Sequence, residues 1–159
     1  MLCFRNIVTA FLFYEDQVLL MKRGEDREIA PGYWFGVGGH IEPEEINNPY
    51  RAIYREILEE TGISSEKVSN FSLKYIVYNR DVDRNEIIVN HIFFGNLDSK
   101  EFVDSDEGKL FWVDKEDVLE KEFHPIIKII LASYFKNKRQ EILLGVVGSE
   151  EPYTWWYPL

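Results

Sequence analysis

The chain of 159 residues has one cysteine, two methionines and six prolines, and its basic residues are outnumbered. A lone thiol, Cys3, excludes a disulfide within the chain. Lying in an apolar run near the N-terminus, Cys3 is expected to be a buried or inert thiol. Eighteen Lys and Arg against 28 Asp and Glu give a formal net charge of −10. So little positive charge argues against a binder of nucleic-acid polymers or of anionic membranes, since both need basic surface. No apolar run is long enough for a membrane span. The opening MLCFRNIVTAFLFYEDQ has neither a basic stretch before its apolar run nor an A-x-A-like cleavage site, so a cytoplasmic protein is expected. Repeats and low-complexity tracts are missing, as are the G-x-x-x-x-G-K-[ST] phosphate loop and any pattern of a Ser or Cys nucleophile triad. A covalent enzyme intermediate is therefore not expected.

What the chain does have is 45% hydrophobic and 15% aromatic residues, enough for the core of one domain spanning 1–159. Residues 3–14 and 18–22 read as a β-hairpin closed by Glu15-Asp16-Gln17. A polar loop ending in Pro31-Gly32 leads to a short segment at 34–37, which Gly38-Gly39 breaks. Asn48-Pro49 opens a helix that runs to about Glu60 and stops at Gly62. Its apolar face is predicted to hold Tyr50, Ile53, Tyr54, Ile57 and Leu58. Strands are predicted near 71–78, 87–95 and 109–113, short and long helices at 114–121 and 125–138, and a last strand in EILLGVVG. The tail, 149–159, reads as aromatic and irregular. This is an α+β pattern.

The segment REILEETG poses a physical problem. Glu56, Glu59 and Glu60 fall within roughly 100° of helical arc. Like charges so spaced destabilise a helix by ~0.2–0.5 kcal/mol per pair. A divalent cation would relieve the repulsion, because carboxylate and carbonyl oxygens suit Mg²⁺ or Mn²⁺. Just upstream, a glycine pair lets backbone approach a ligand closely, and a loop carries Glu42, Glu44 and Glu45.

Together, VGGHIEPEEINNPYRAIYREILEETGI resembles the Nudix box, G-x5-E-x7-R-E-U-x-E-E-x-G-U, with U a bulky aliphatic residue. Gly39 and Glu45 fit the first part; Arg55, Glu56, Ile57, Glu59, Glu60, Gly62 and Ile63 fit the second. Nine residues instead of seven separate Glu45 from Arg55, and Glu44 stands where a glycine is usual. The surplus lies in INNP, ahead of the helix, so the helical spacing of the carboxylates is intact. The resemblance, over 39–63, is to the Nudix (MutT-like) hydrolase family. It implies a mixed sheet between helices, an α/β/α sandwich, and metal-dependent hydrolysis of a nucleoside diphosphate linkage. It further implies metal ligation by Gly39 (through its carbonyl), Glu56, Glu59 and Glu60, with Glu56 as a ligand or general base. Arg55 matches the arginine that orients box glutamates, Glu45 being the candidate here.

Outside the box, Glu107 is a candidate further metal ligand or base. Arg23 could meet a phosphate, Tyr33, Trp34 and Phe35 could stack on a base, and His40 could approach substrate. Core packing competes for two of the three aromatics. His91 and His124 are expected to be structural. The lead-in YWFGVGGHIEP is similar to that of members that hydrolyse oxidised nucleotides such as 8-oxo-dGTP. The expected substrate is therefore a nucleoside triphosphate or related small nucleotide, with ADP-ribose or a nucleotide sugar as the rival. A nucleotide-sensing module without turnover is a further alternative, against which all box carboxylates stand. The WWYPL tail is expected to cover the domain's own core, with a homodimer contact as the next option.

Overall fold

The computed structural model describes residues 1–25, 30–106, 108–136, 141–148 and 154–159. Strand β1 (Cys3–Tyr14) lies at the centre of the architecture. Its alternation divides the molecule: Val8, Ala10 and Leu12 turn to one core, Phe11 and Phe13 to another. This is what the period of two in a strand requires of a sheet buried on both faces. β2 (Gln17–Lys22) returns antiparallel to β1, and the short β3 (Trp34–Phe35) follows it at the edge. β4 (Val37–His40) pairs with the first half of β1. After a 3-10 turn at Pro43–Glu45 comes helix α1 (Pro49–Thr61).

β5 (Val68–Asp81) and β6 (Glu86–Leu97) form a long antiparallel hairpin, and β6 lies parallel to β1 over eleven aligned pairs, Cys3↔Glu86 to Phe13↔Asn96. β7 (Lys109–Asp114) adds to β2. Helix α2 (Pro125–Lys136) precedes β8 (Leu143–Val147), which runs parallel to β5, and β9 (Thr154–Pro158), which closes the order β3-β2-β1-β6-β5-β8-β9. α1 covers one sheet face through Ala52, Ile53 and Ile57. α2 covers the other through Ile127, Ile130 and Leu131. The result is the mixed-sheet α/β/α sandwich, and each fully buried Leu, Ile or Phe contributes roughly 1.5–3 kcal/mol.

Several expectations are corrected. The strands predicted at 71–78 and 87–95 extend to 68–81 and 86–97, because the hairpin continues to its turn at 82–85. The helix predicted at 114–121 is a turn and a short 3-10 segment, Val118–Glu120. Leu58 and Tyr50 are exposed, and Ala52 takes a place on the buried face of α1. Cys3 is exposed. The tail is not irregular throughout: 154–158 is a strand, with Trp156 packed on Tyr75 of the α2-side core at 5.2 Å. Residues 149–153 and 137–138 lie outside the described residues, as does Glu107.

Candidate active site

Helix α1 carries most of the charged cluster. Asn48 caps it, its side-chain oxygen accepting the Arg51 N–H at 3.3 Å, and Pro49 occupies the first turn. Gly62, at φ 69°, supplies the left-handed residue that stops it. This places Arg55, Glu56, Glu59 and Glu60 on the flank beside the buried stripe.

β4 faces that flank, with Thr9↔Gly38 and Val8↔Gly39 in register. A Cβ on Gly38 would overlap the Val8 carbonyl oxygen. One on Gly39 would lie 2.6 Å from Glu56 Oε1. Backbone and carboxylate can meet here only because the side chains are absent. The Gly38 N–H donates to Glu60 Oε2 at 2.8 Å, and Glu60 is 6% exposed.

Arg55 organises the remaining carboxylates. Its Nε and Nη2 donate to the two oxygens of Glu45 at 3.1 and 2.9 Å, and Nη2 also donates to the His40 carbonyl at 3.0 Å. Nη1 donates to Glu56 Oε1 at 2.9 Å and Glu59 Oε2 at 3.1 Å. All five N–H groups of the guanidinium are thus used. Glu45 is buried, and Arg55 holds its carboxyl below the usual carboxylate range against the opposing push of burial. The same hydrogen bonds drive the Arg55 pKa upward, Glu45 first. The two extra residues of the box are absorbed at 46–48, where Ile46 is exposed and the Asn48 N–H donates to the Glu45 carbonyl. The Glu45–Arg55 contact forms despite them.

Among the described residues, no three acidic, His or Cys side chains converge closely enough to hold an ion as they stand. Instead, Arg55 Nη1 bridges Glu56 and Glu59. The donor set nevertheless fits Mg²⁺ or Mn²⁺: three carboxylates on one helical flank, only oxygens, beside a glycine cradle that a Cβ would fill. Glu59 is the most exposed of the three, its side chain 58% accessible.

From this cluster a cleft of about 490 Å³ runs across the α2 side of the sheet. Its floor is Arg5, Ile7 and Thr9 of β1, Val77 and Asn79 of β5, and Ile88 and Asn90 of β6; Ile126 and Ile127 of α2 form a wall. Gly38, Gly39, Arg55, Glu56 and Glu60 line its acidic end. Arg23, Phe35 and His40 also line it, with the Arg23 guanidinium 5.8 Å from the Phe35 ring centre. His40 Nε2 accepts the Arg5 Nε–H at 2.8 Å. Partial burial and then the Arg5 charge push its pKa down, in keeping with a neutral ring. Tyr33 and Trp34 do not line the cleft. Trp34 packs on the α2-side core with its ring 5.4 Å from Phe111, and its backbone N–H donates to the Glu122 carbonyl.

The family model of the NUDIX domain matches residues 4–134. The chain belongs to the Nudix family. Among solved structures, a mutator MutT protein from Bacillus halodurans is 27% identical, with 98% of this chain and 94% of that one covered at a TM-score of 0.74. A MutT Nudix hydrolase from Burkholderia pseudomallei is 24% identical over 81% of this chain and 96% of that one, TM-score 0.67. A bifunctional NMN adenylyltransferase/ADP ribose pyrophosphatase from Francisella tularensis, complexed with AMP and manganese, is 17% identical, TM-score 0.65; the match covers 86% of this chain and 42% of that one. The last two, less than a quarter identical, speak to the fold. This Nudix chain is thus an enzyme, a hydrolase of phosphoric anhydride bonds. No helix among its described residues is long and apolar enough to cross a membrane.

Arg5, Asn79 and Asn90 line the Nudix cleft but escaped sequence reasoning, and His124, expected to be structural, lines it as well. Asn is depleted in strands, so an amide inside EIIVNHIFF was the signal available for Asn90.

Proposed function

We propose that the chain is a Mg²⁺- or Mn²⁺-dependent Nudix pyrophosphohydrolase acting on a nucleoside triphosphate or related small nucleotide, 8-oxo-dGTP-like substrates included. The observation that carries this reading is the continuity of one cleft, from the box carboxylates to a slot floored by Asn79 and Asn90 and walled by Phe35, Ile126 and Ile127. Its volume lies within the range of small-ligand pockets.

In this reading the diphosphate lies at the acidic end. Glu56, Glu59, Glu60 and the Gly39 carbonyl would hold the metal. Bound there, the cation supplies charge neutralisation and lowers the pKa of a coordinated water. Arg55 keeps Glu56 and Glu59 oriented, while Glu45 anchors Arg55. Glu56 accepts the proton of the attacking water as the water oxygen bonds to phosphorus and the bridging P–O bond breaks. The products are a nucleoside phosphate and the phosphate-bearing leaving group. Arg23 and Arg5 sit where further phosphate charge could be met. The base enters the slot between Phe35 and the Ile126–Ile127 wall. The intact set Glu45, Glu56, Glu59 and Glu60 supports turnover over mere sensing. The acidic surface supports a small substrate over a nucleic-acid polymer.

The test is product analysis with Mg²⁺ and a panel of ordinary and oxidised triphosphates, ADP-ribose, nucleotide sugars and dinucleoside polyphosphates, with Glu60→Gln as control. Gln keeps an acceptor for the Gly38 N–H. Cleavage of a triphosphate that Glu60→Gln abolishes supports the reading. Preferential cleavage of ADP-ribose or a nucleotide sugar would move the substrate to the rival class. Metal-dependent binding without turnover would make the chain a sensor.

A further inference from the structure

Helix α1 covers only part of its sheet face. On that same face, beyond the helix, the registers align two rows across four strands: Val89, Tyr78, Val146 and Trp155 in one, His91, Ile76, Leu144 and Tyr157 in the other. None of these side chains belongs to either core cluster, although Val89 is buried and His91 partly so, and Tyr78, Val146, Trp155 and Tyr157 are 39–52% exposed. Leu159, on the same face after β9, is 67% exposed. A sheet face this apolar ordinarily packs against another layer, and contiguous patches of several hundred Å² mark interaction sites.

We propose that this bare face of β5, β8 and β9 is a docking surface for a second copy of the chain, packed face to face about a two-fold axis. Area favours that occupant. Three half-exposed aromatic rings with Val146 and Leu159 offer roughly 500 Å² per copy, so a modest rim reaches the ~800 Å² per partner of a stable interface. Charge favours it too. The two rows contain no acidic side chain. In a chain of net charge −10, two copies meeting through these rows therefore bring no like charges together at the centre. Pairing through the open edge of β9 is disfavoured. Leu159 N–H donates to Ile142 O, so antiparallel alternation points the Pro158 nitrogen outward, where it has no hydrogen to donate. The face is left as the contact.

Sedimentation velocity of the full chain at about 1 to 100 μM reads a dimer with micromolar Kd directly. The expected result is a mass rising toward twice 18.8 kDa, and a single-chain mass at every concentration for Tyr157→Glu and, independently, Val146→Glu. Far-UV circular dichroism verifies that each variant is folded. Wild-type protein that stays monomeric at the highest concentration overturns the proposal. So does a dimer that persists in either folded variant.

Discussion

Arg55 holds Glu45 by two parallel hydrogen bonds, Nε to Oε1 at 3.1 Å and Nη2 to Oε2 at 2.9 Å, across nine intervening residues. The pair ties the loop before α1 to the middle of the helix, and the same guanidinium steadies Glu56 and Glu59.

Arg55→Lys should therefore damage both stability and turnover. An ammonium cannot reproduce the planar fork, so buried Glu45 loses at least one charge-assisted bond, worth ~1.5–3 kcal/mol. An unfolding free energy from urea titration lowered by that amount, with a correspondingly lower midpoint and turnover down at least tenfold, is expected. An unchanged midpoint would show that Glu45 needs no fork. Glu45→Gln should give a similar stability loss, because Gln offers only one acceptor oxygen to a two-pronged donor.

The glycine pair predicts two different failures. A Cβ at Gly38 collides with the Val8 carbonyl oxygen, which is backbone in the centre of the sheet, and the φ of 154° is already rare for an L-residue. Gly38→Ala should lower stability by several kcal/mol or prevent folding. At Gly39 the obstacle is Glu56 Oε1 at 2.6 Å, the far end of a flexible side chain that can move aside. Gly39→Ala should fold, with a melting temperature near wild type, yet lose at least tenfold in turnover because Glu56 is displaced. Thermal melts with rate measurements on both variants separate the cases. Equal loss of stability in the two would refute the distinction.

What the sequence revealed, and what it hid, follows the same physics. The box, the cap at Asn48 and the stop at Gly62 were readable because each depends on local spacing. So was β1, whose apolar run is buried on both faces. The strand at 154–158 was hidden because its partner, β8, and the Tyr75 ring under Trp156 are supplied by tertiary structure. The cleft was half visible. Its acidic end lies in one continuous segment, whereas Asn79 and Asn90 meet only because Val77 pairs with Asn90 and Asn79 with Ile88. No local pattern announces that register. For Trp34 the sequence left stacking and core packing both open, because aromatic residues suit a core as well as a base, and the ring packs on the core.

Stability should fall on mild acidification. His91 is half-buried, and burial holds its pKa below the ordinary value of 6.5 against the raising effect of the Ile7 carbonyl at Nδ1; His124 is lowered by burial as well. A depressed folded-state pKa means that the unfolded chain binds more protons, so stability is full above 6.5 and declines as pH falls through that value toward the folded pKa. Glu45 adds a second decline, as pH falls below its ordinary 4.5. Denaturation midpoints measured from pH 8 to 4 should show the first decline, and His91→Gln should reduce it. A flat profile between pH 7 and 5 would contradict the assignment.

The cleft floor makes the last prediction. Thr9 Oγ1 donates to Asn90 Oδ1 at 3.1 Å, which fixes the amide and leaves the Nδ2 donors for whatever occupies the slot. If a base lies there, Asn90→Leu removes one hydrogen bond to substrate and leaves the phosphate end untouched. A neutral hydrogen bond is worth about 0.5–1.5 kcal/mol, which is roughly 2- to 13-fold in kcat/KM by the RT relation. Because the base does not react, the loss should fall on KM, with kcat nearly unchanged. Glu60→Gln should do the reverse, reducing kcat in a protein that still binds nucleotide. The two variants compared on one substrate thus divide the cleft into a recognition end and a reacting end. An Asn90→Leu enzyme with wild-type KM for every nucleotide tried would move the base out of this slot.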